Sequence, residues 1–254
     1  MVSSGGTAIL ALNDPARRNA LSLPMREALR NRLSAAVESS ECLGIVITGA
    51  AGAFCSGGDV RQEWQGSEGE SEARRHRLQI LHDIVRMIVR APKPIVAAVG
   101  GSAFGAGLSL AMACDYVIAA DTASFCASFT KVGLLPDCGL LWSLPLRVGM
   151  GRARELVLSA RLLNAEAALK VGLIEEAVPA ERLLPAAIER ARELSANAPL
   201  AAAACKAILA KAPATLDTVL EMESQLQPAL AASADCAEGK AAFFERRSPI
   251  FRGR

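Results

Sequence analysis

Residues 93–115 read "KPIVAAVGGSAFGAGLSLAMACD", with no charge between the first lysine and the final aspartate. A membrane-spanning helix of this length is usually a smooth run of leucine, isoleucine and valine. Here Pro94 and the pair Gly100-Gly101 interrupt the run. We therefore predict a buried strand, a glycine turn and a buried helix, and no membrane partner.

Similar short apolar runs lie on both sides of this segment. Strands are predicted for "TAILAL" (7–12), "LGIVITG" (43–49), "DYVIAA" (115–120) and "ASFCAS" (123–128). Helical spacing of apolar residues follows Ser22, which we predict as an N-cap, and a polar helix is predicted over 71–90. Short apolar strands that alternate with helices indicate an α/β fold with a buried parallel sheet.

The composition narrows the class of protein. The chain has 254 residues, 52% of them hydrophobic, and a net charge of +2. That is enough for a full core, and without a basic stripe among aromatics we expect no nucleic-acid partner. Seven cysteines without a C-x-x-C pair favour buried thiols over disulfides or a zinc site. The start "MVSSGGTAIL" does not resemble a signal peptide, so we expect a cytoplasmic protein.

Two glycine-rich turns follow predicted strands, "GAAGAFCSGGDV" (49–60) and "GGSAFGAG" (100–107). Such turns point backbone N–H groups outward and can bind a phosphate or an oxyanion that develops on a carbonyl. Neither turn has the Gly-Lys-Ser/Thr ending of a P-loop, and the second misses the dinucleotide-binding register. The alternative is that these glycines only allow tight turns and close packing.

Four segments together resemble one family. They are "LNDPARRNALSLPM" (12–25), "AFCSGGDV" (53–60), residues 93–115 and "EGKAAFFERRSPIFRGR" (238–254), and they resemble the enoyl-CoA hydratase/isomerase (crotonase) superfamily across essentially the whole chain. The resemblance implies a crotonase-like spiral of β-β-α repeats over residues 1–195 and a C-terminal helical trimerisation region over 196–254. It also implies an acyl-CoA thioester as substrate and a homo-trimer or dimer of trimers.

The resemblance assigns an oxyanion hole to the backbone N–H groups of Gly58 and Ala106. The family usually has glycine at the second position, and alanine keeps the N–H. Hydratases of the family use two glutamates for proton handling, and their positions fall on Ser109 and Phe129. Neither side chain is a base of useful pKa, so the two-glutamate mechanism lacks its residues.

Asp137, in "FTKVGLLPDCG" (129–139), falls where acyl-CoA isomerases of the family carry a catalytic aspartate. The segment is most similar to 2-(1,2-epoxy-1,2-dihydrophenyl)acetyl-CoA isomerases of phenylacetate breakdown. One carboxylate suffices to move a double bond through an enolate. We expect Leu134, Leu135, Pro136 and Leu140 to desolvate Asp137 and raise its pKa.

Four alternatives stay open at this point. Asp137 can be the N-cap of the helix that holds Trp142. It can be the nucleophile of an acyl-CoA dehalogenase, which resemblance would pair with His82. The protein can also be an enoyl-CoA hydratase, as members of this superfamily are often named, or an acyl-CoA binder without catalysis.

Further substrate contacts are predicted at Ala16, Arg18, Ala20, Ser56, Asp59, Val60, Phe104, Ser109 and Phe129. The resemblance places the nucleotide near the first six, while Phe104 and Phe129 would wall an apolar acyl pocket. Ser109 can contact substrate or pack inside a helix, and Asp59 can be a surface or capping residue. We expect no metal and no redox cofactor, because CoA arrives with the substrate.

Overall fold

Nine strands in two sheets form the β structure of the residues that the computed structural model describes, which are 2–59, 70–211 and 214–254. The strands are β1 Val2–Ser4, β2 Thr7–Leu12, β3 Gly44–Gly49, β4 Ile95–Val99, β5 Ser102–Phe104, β6 Tyr116–Ala120, β7 Ser124–Cys126, β8 Leu163–Asn164 and β9 Glu176–Val178. All five strands predicted from the sequence are present, with bounds that differ by two residues at most.

The larger sheet has the order β1-β2-β3-β4-β6-β9, and every neighbouring pair except β1–β2 is parallel. Its central strands are buried on both faces, as Ile45, Ile47, Ile95 and Val96 illustrate with no exposed surface. Burial on both faces is what makes these strands continuous apolar runs rather than alternating ones. The predicted buried parallel sheet is confirmed.

The second sheet consists of β5, β7 and β8, and two of these strands directly follow a strand of the first sheet. β5 follows β4 and pairs in parallel with β7, which follows β6. Cys55, downstream of β3, bridges Ala103 of β5, and Leu21, downstream of β2, bridges Gly58. Successive strand–segment–helix units therefore lie side by side, as a spiral of β-β-α repeats requires.

Helices cover both faces of the larger sheet. They are α1 Leu23–Glu38, α2 Glu70–Arg90, α3 Ala106–Ala113, α4 Leu140–Val148, α5 Met150–Ser159, α6 Ala165–Lys170, α7 Leu183–Ser195, α8 Pro199–Leu209, α9 Leu216–Ala231 and α10 Ala234–Glu245. Helix α7 buries Ala187 and Ala191 against Val46, Val96 and Ile118 on one face. The other face carries the main core, with α1, α2 and α3.

The uncharged segment 94–114 divides into β4, β5 and the eight-residue α3. Within the described ranges, no helix has the length and apolar character needed to cross a membrane. The predicted boundary at 195/196 falls between α7, which packs on the sheet, and α8, which has no fully buried residue. The two-part division of the chain stays a prediction.

One charged pair fastens α8 to the end of the larger sheet. Lys206 Nζ donates to Asp115 Oδ2 at 2.5 Å and to the Lys93 carbonyl oxygen at 3.0 Å. The same carboxylate oxygen accepts the Ile95 N–H, at the start of β4, at 2.7 Å. Burial raises the pKa of Asp115 above its ordinary value, and the ammonium of Lys206 opposes that rise.

We predict that Lys206→Met lowers the free energy of unfolding by about 1 kcal/mol near neutral pH, because it leaves a partly exposed carboxylate without its cation. The folded pKa of Asp115 lies above the unfolded one, so protonation favours the folded state. The difference in free energy of unfolding between the variant and the wild type should therefore shrink as the pH falls through that pKa. Urea unfolding at about pH 8 and about pH 5 measures this. Lys211→Met is the control, and equal midpoints for the two variants at both pH values contradict the prediction.

Candidate active site

The two glycine-rich turns touch each other through their backbones. A methyl group added to Gly107 would lie 2.3 Å from the Cys55 carbonyl oxygen, which is closer than atoms can approach. Gly57 has φ +100°, and a methyl group there would lie 2.9 Å from the Phe104 carbonyl oxygen and 3.4 Å from the Ala106 nitrogen. Both positions therefore require glycine, Gly107 for close approach and Gly57 for its φ as well.

This contact brings the two predicted N–H donors to one place. Ala106 is the first residue of α3, so its N–H has no partner inside the helix and lies at the positive end of the helix dipole. Gly58 directly follows the glycine that approaches Ala106. Neither N–H donates to another residue in the described part of the chain. The pair has the geometry of an anion or oxyanion site, and its catalytic use stays a prediction.

Both donors line a cavity of about 510 Å³, a size suited to a small-molecule ligand. The wall is built from the first turn, from α1 and α2, from the start of α3 and from the segment before α4. The described lining residues are Arg26, Ser56, Gly57, Gly58, Arg77, Leu78, Leu81, Gly105, Ala106, Ser128, Phe129, Val132, Leu134 and Asp137. The structure thus joins Asp137 to the two N–H donors, which are about 30 to 80 residues earlier in the chain.

Asp137 is half-buried, between the buried residues Pro136 and Cys138. Burial raises the pKa of the Cys138 thiol well above its usual value, and the charge of Asp137 and a hydrogen bond to it raise that pKa further. The thiol is therefore protonated and donates to the carboxylate. Cys138 itself has φ +52°, a rare conformation for a residue other than glycine.

Two expectations about Asp137 need correction. Helix α4 begins at Leu140 with Gly139 as its N-cap, so the capping alternative is wrong; Asp137 contributes only its backbone carbonyl, to the Leu140 N–H. Leu134 and Leu135, expected to desolvate the carboxylate, are 52% and 75% exposed in the single chain. Only Pro136 and Leu140 of the predicted apolar flank are buried.

The structure separates some predicted substrate contacts from the cavity. Ser56 and Phe129 line it, but Ser109 and Phe104 do not. Ser109 is fully buried, and its hydroxyl donates to the Gly105 carbonyl oxygen at 3.3 Å, so it packs inside the helix and is not placed to contact a ligand. His82, the histidine of the dehalogenase alternative, is half-buried on α2 and is not among the described lining residues.

The segment 14–20 is tied to the first turn but lies outside the cavity lining. The Ser56 N–H and hydroxyl donate to the carbonyl oxygens of Arg18 and Arg17, and the Asn19 amide donates to the carbonyl oxygens of Ala50 and Ala53. The remaining predicted contacts divide by burial: Ala16 and Arg18 are exposed, Ala20 and Asp59 are buried, and Val60 lies outside the described residues.

Asp59 is buried against Arg17, with an Nη1–Oδ2 distance of 3.5 Å. The carboxylate therefore joins the two segments, and its predicted contact with substrate stays a prediction.

Sequence reasoning missed both arginines of the described cavity wall, Arg26 and Arg77. Arg26 lies on the buried stripe of α1 with Leu29, Leu33 and Ala36. Its position at helical spacing within an apolar stripe could have indicated that Arg26 is buried. Arg77 gave no such signal, because it stands in the charged tract "ARRHR" (73–77), which is typical of a solvated helix face.

Comparison with known proteins gives one family. The enoyl-CoA hydratase/isomerase family model matches residues 3–254. A probable enoyl-CoA hydratase of Rhodobacter capsulatus is 40% identical over 99% of this chain and 96% of its own. The 1,2-epoxyphenylacetyl-CoA isomerase of Escherichia coli is 36% identical over 98% and 96%. The crystal structure of an enoyl-CoA hydratase from Bacillus anthracis, 32% identical, superposes with a TM-score of 0.93 over 100% of this chain and 98% of that one. The predicted resemblance and the predicted α/β, crotonase-like fold are confirmed.

We predict that Gly107→Ala lowers the free energy of unfolding by about 1–3 kcal/mol. The reason is that the added methyl group overlaps a backbone carbonyl, which no side-chain rotation can move away. Thermal unfolding measures this. Gly151→Ala in α5 is the matched control, since the added methyl group meets nothing within 4 Å. That change should be neutral or slightly stabilising. If the two variants unfold at the same temperature, the backbone contact between the turns is not tight.

Proposed function

The chain belongs to the enoyl-CoA hydratase/isomerase family, and we propose that it is an acyl-CoA isomerase with Asp137 as its only acid/base. One observation carries the proposal: in the described part of the cavity wall, Asp137 is the one carboxylate beside the N–H groups of Gly58 and Ala106. The two positions that carry glutamates in hydratases of the family hold Ser109 and Phe129. Neither can activate water as a general base.

In the proposed reaction, the thioester carbonyl oxygen accepts hydrogen bonds from the Gly58 and Ala106 N–H groups. Asp137 removes a proton from the carbon next to the carbonyl of a 3-enoyl thioester, and the electron pair delocalises into a dienolate. The same carboxyl group returns the proton two carbons further along, which gives the 2-enoyl thioester. The N–H groups stabilise the charge that develops on oxygen. No water is consumed, and no metal or redox cofactor is needed.

A second candidate is the opening of a ring epoxide on a phenylacetyl thioester, as in phenylacetate breakdown. Its support is the 36% identity to the Escherichia coli 1,2-epoxyphenylacetyl-CoA isomerase and the matching segment around Asp137. The same oxyanion site and the same single carboxyl group would serve it. The hydratase name of the 40% identical relative favours hydration, but the loss of both glutamates argues against it. The position of His82 outside the described lining argues against the dehalogenase.

We also propose a homo-trimer or a dimer of trimers, assembled through residues 196–254. Helices α8 and α9 bury no residue fully in the single chain. Five large apolar side chains of this region are more than two-thirds exposed, namely Leu209, Leu216, Phe243, Phe244 and Ile250. Exposed apolar surface on this scale is typical of a protein–protein interface.

We predict that Asp137→Asn lowers kcat for the isomerisation of 3-hexenoyl-CoA by about 10²–10⁴-fold, because the amide cannot accept the carbon-bound proton. Conjugation of the product is followed by ultraviolet absorbance. Asp83→Asn, which removes an exposed carboxylate on α2, is the control and should keep wild-type turnover.

Isomerisation by Asp137→Asn at the wild-type rate rules out Asp137 as the base. Rapid hydration of crotonyl-CoA by the wild type contradicts the isomerase assignment itself. Saturable binding without turnover in the wild type identifies a binder instead.

A further prediction tests the backbone donor on α3. Proline is well tolerated at the first residue of a helix, so Ala106→Pro removes the N–H with little damage to α3. We expect kcat/KM to fall by about 10²–10³-fold, the usual effect of losing one oxyanion donor. Ala106→Gly keeps the N–H and should lose less than about tenfold. Similar values for the two variants, with folding checked by circular dichroism, contradict a role for this donor.

A further inference from the structure

Two arginines line the cavity, although the sequence analysis predicts an apolar acyl pocket there. Arg26 comes from α1 and Arg77 from α2, where Leu78 and Leu81 of the same helix also line the cavity. Among the lining residues that the structure describes, these two cations face one anion, Asp137. A hydrocarbon chain alone offers no hydrogen-bond acceptor to a guanidinium in this wall.

Arg26 belongs to the charge balance around Asp137. Its side chain is almost completely buried, and its Nε donates to the Leu21 carbonyl oxygen at 2.6 Å. Burial raises the pKa of the Cys55 and Cys138 thiols, and the positive charge of Arg26 opposes that rise. Because Cys138 adjoins Asp137, the field of Arg26 reaches the side of the cavity where the carboxylate lies.

Arg77 differs from Arg26 in having no hydrogen-bond or ion-pair partner among the residues that the structure describes. The Nη2 nitrogen of its guanidinium is buried from solvent and makes no hydrogen bond to the described residues. A buried donor without an acceptor is unfavourable, so this nitrogen is satisfied best when a ligand brings an acceptor into the cavity. A guanidinium presents its donors in a planar fork that matches a carboxylate, with two parallel hydrogen bonds.

We propose that the substrate's acyl group ends in a carboxylate and that the Arg77 guanidinium binds it. The thioester carbonyl lies at Gly58 and Ala106, the reacting carbons lie at Asp137, and the far end of the chain reaches Arg77 along the same cavity wall. The buried Nη2 nitrogen of Arg77 then has an acceptor, which the substrate supplies. The inference rests on the proposed function for the acyl-CoA site, and it narrows the substrate class to monothioesters of dicarboxylic acids.

The test compares ligands that differ only in charge at the far end. Hexanedioyl-CoA carries a free carboxylate, and the methyl ester of that carboxyl group is its neutral counterpart. Both are saturated and cannot isomerise, so isothermal titration calorimetry measures binding alone. A series from butanedioyl-CoA to octanedioyl-CoA, each with its ester, varies the distance between the thioester and the terminal carboxylate. We expect the best acid to bind about 10- to 100-fold more tightly than its ester, as for one charge-assisted, two-point contact.

Three variants locate the source of this preference. Arg77→Met keeps the apolar stem and removes the charge, so the acid-to-ester ratio should fall to about one. Arg77→Lys keeps the charge without the planar fork and should retain part of the ratio. Arg75→Met removes an exposed arginine two residues earlier on α2 and should keep the wild-type ratio.

Two outcomes overturn the proposal. One is that no acid in the series binds more tightly than its ester to the wild type. The other is that Arg77→Met weakens acid and ester by the same factor, which would assign the guanidinium to the CoA moiety or to folding. Because the ligands do not react, loss of the isomerase assignment would leave the binding preference intact, and the two failures are distinguishable.

Discussion

The carbonyl oxygen of Cys55 occupies the space that a side chain at position 107 would need. Because position 107 has no side chain, the turn after β3 can lie directly against the first residues of α3. This contact depends on the second sheet, in which Cys55 bridges Ala103 of β5 and so sets the register between successive repeats. With the turns in contact, Gly58 and Ala106 line one cavity. The site is therefore a consequence of backbone packing before any catalytic side chain is considered.

The proposed acid/base group, Asp137, is held in a different way. Asp137 belongs to the loop before α4, far from the glycine turns in sequence, and its neighbour Cys138 is forced to a positive φ. The buried thiol of Cys138 keeps its proton and donates it in a hydrogen bond to the carboxylate. A side chain that reaches the cavity from a loop is oriented by such local bonds rather than by the sheet. The site thus combines backbone N–H donors, fixed by the packing of the two turns, with a carboxyl group that is oriented separately.

Much of the fold could be predicted from the sequence, because buried parallel strands are continuous apolar runs and glycine turns separate them. The place of Gly58, Ala106 and Asp137 on one cavity could be predicted because the family resemblance aligns them residue by residue, and their catalytic roles stay predictions. The wall of the cavity could not. Arg77 stands in a charged tract that looks solvated, while Leu134 and Leu135 look like core and are exposed in the single chain. Position along a sequence gives the period of a helix, but not which neighbouring helix or subunit covers each face.

The two hydrogen-bond donors of the site are main-chain groups, and this has a consequence for how such a protein changes over generations. A point mutation replaces a side chain and leaves an N–H in place unless it introduces proline. The proposed capacity to stabilise an enolate is thus inherited almost regardless of substitution, as long as the glycines that allow the close approach persist. Acid/base groups and pocket walls, by contrast, can be exchanged one residue at a time. New reactions can then arise on an old scaffold without passing through an inactive ancestor.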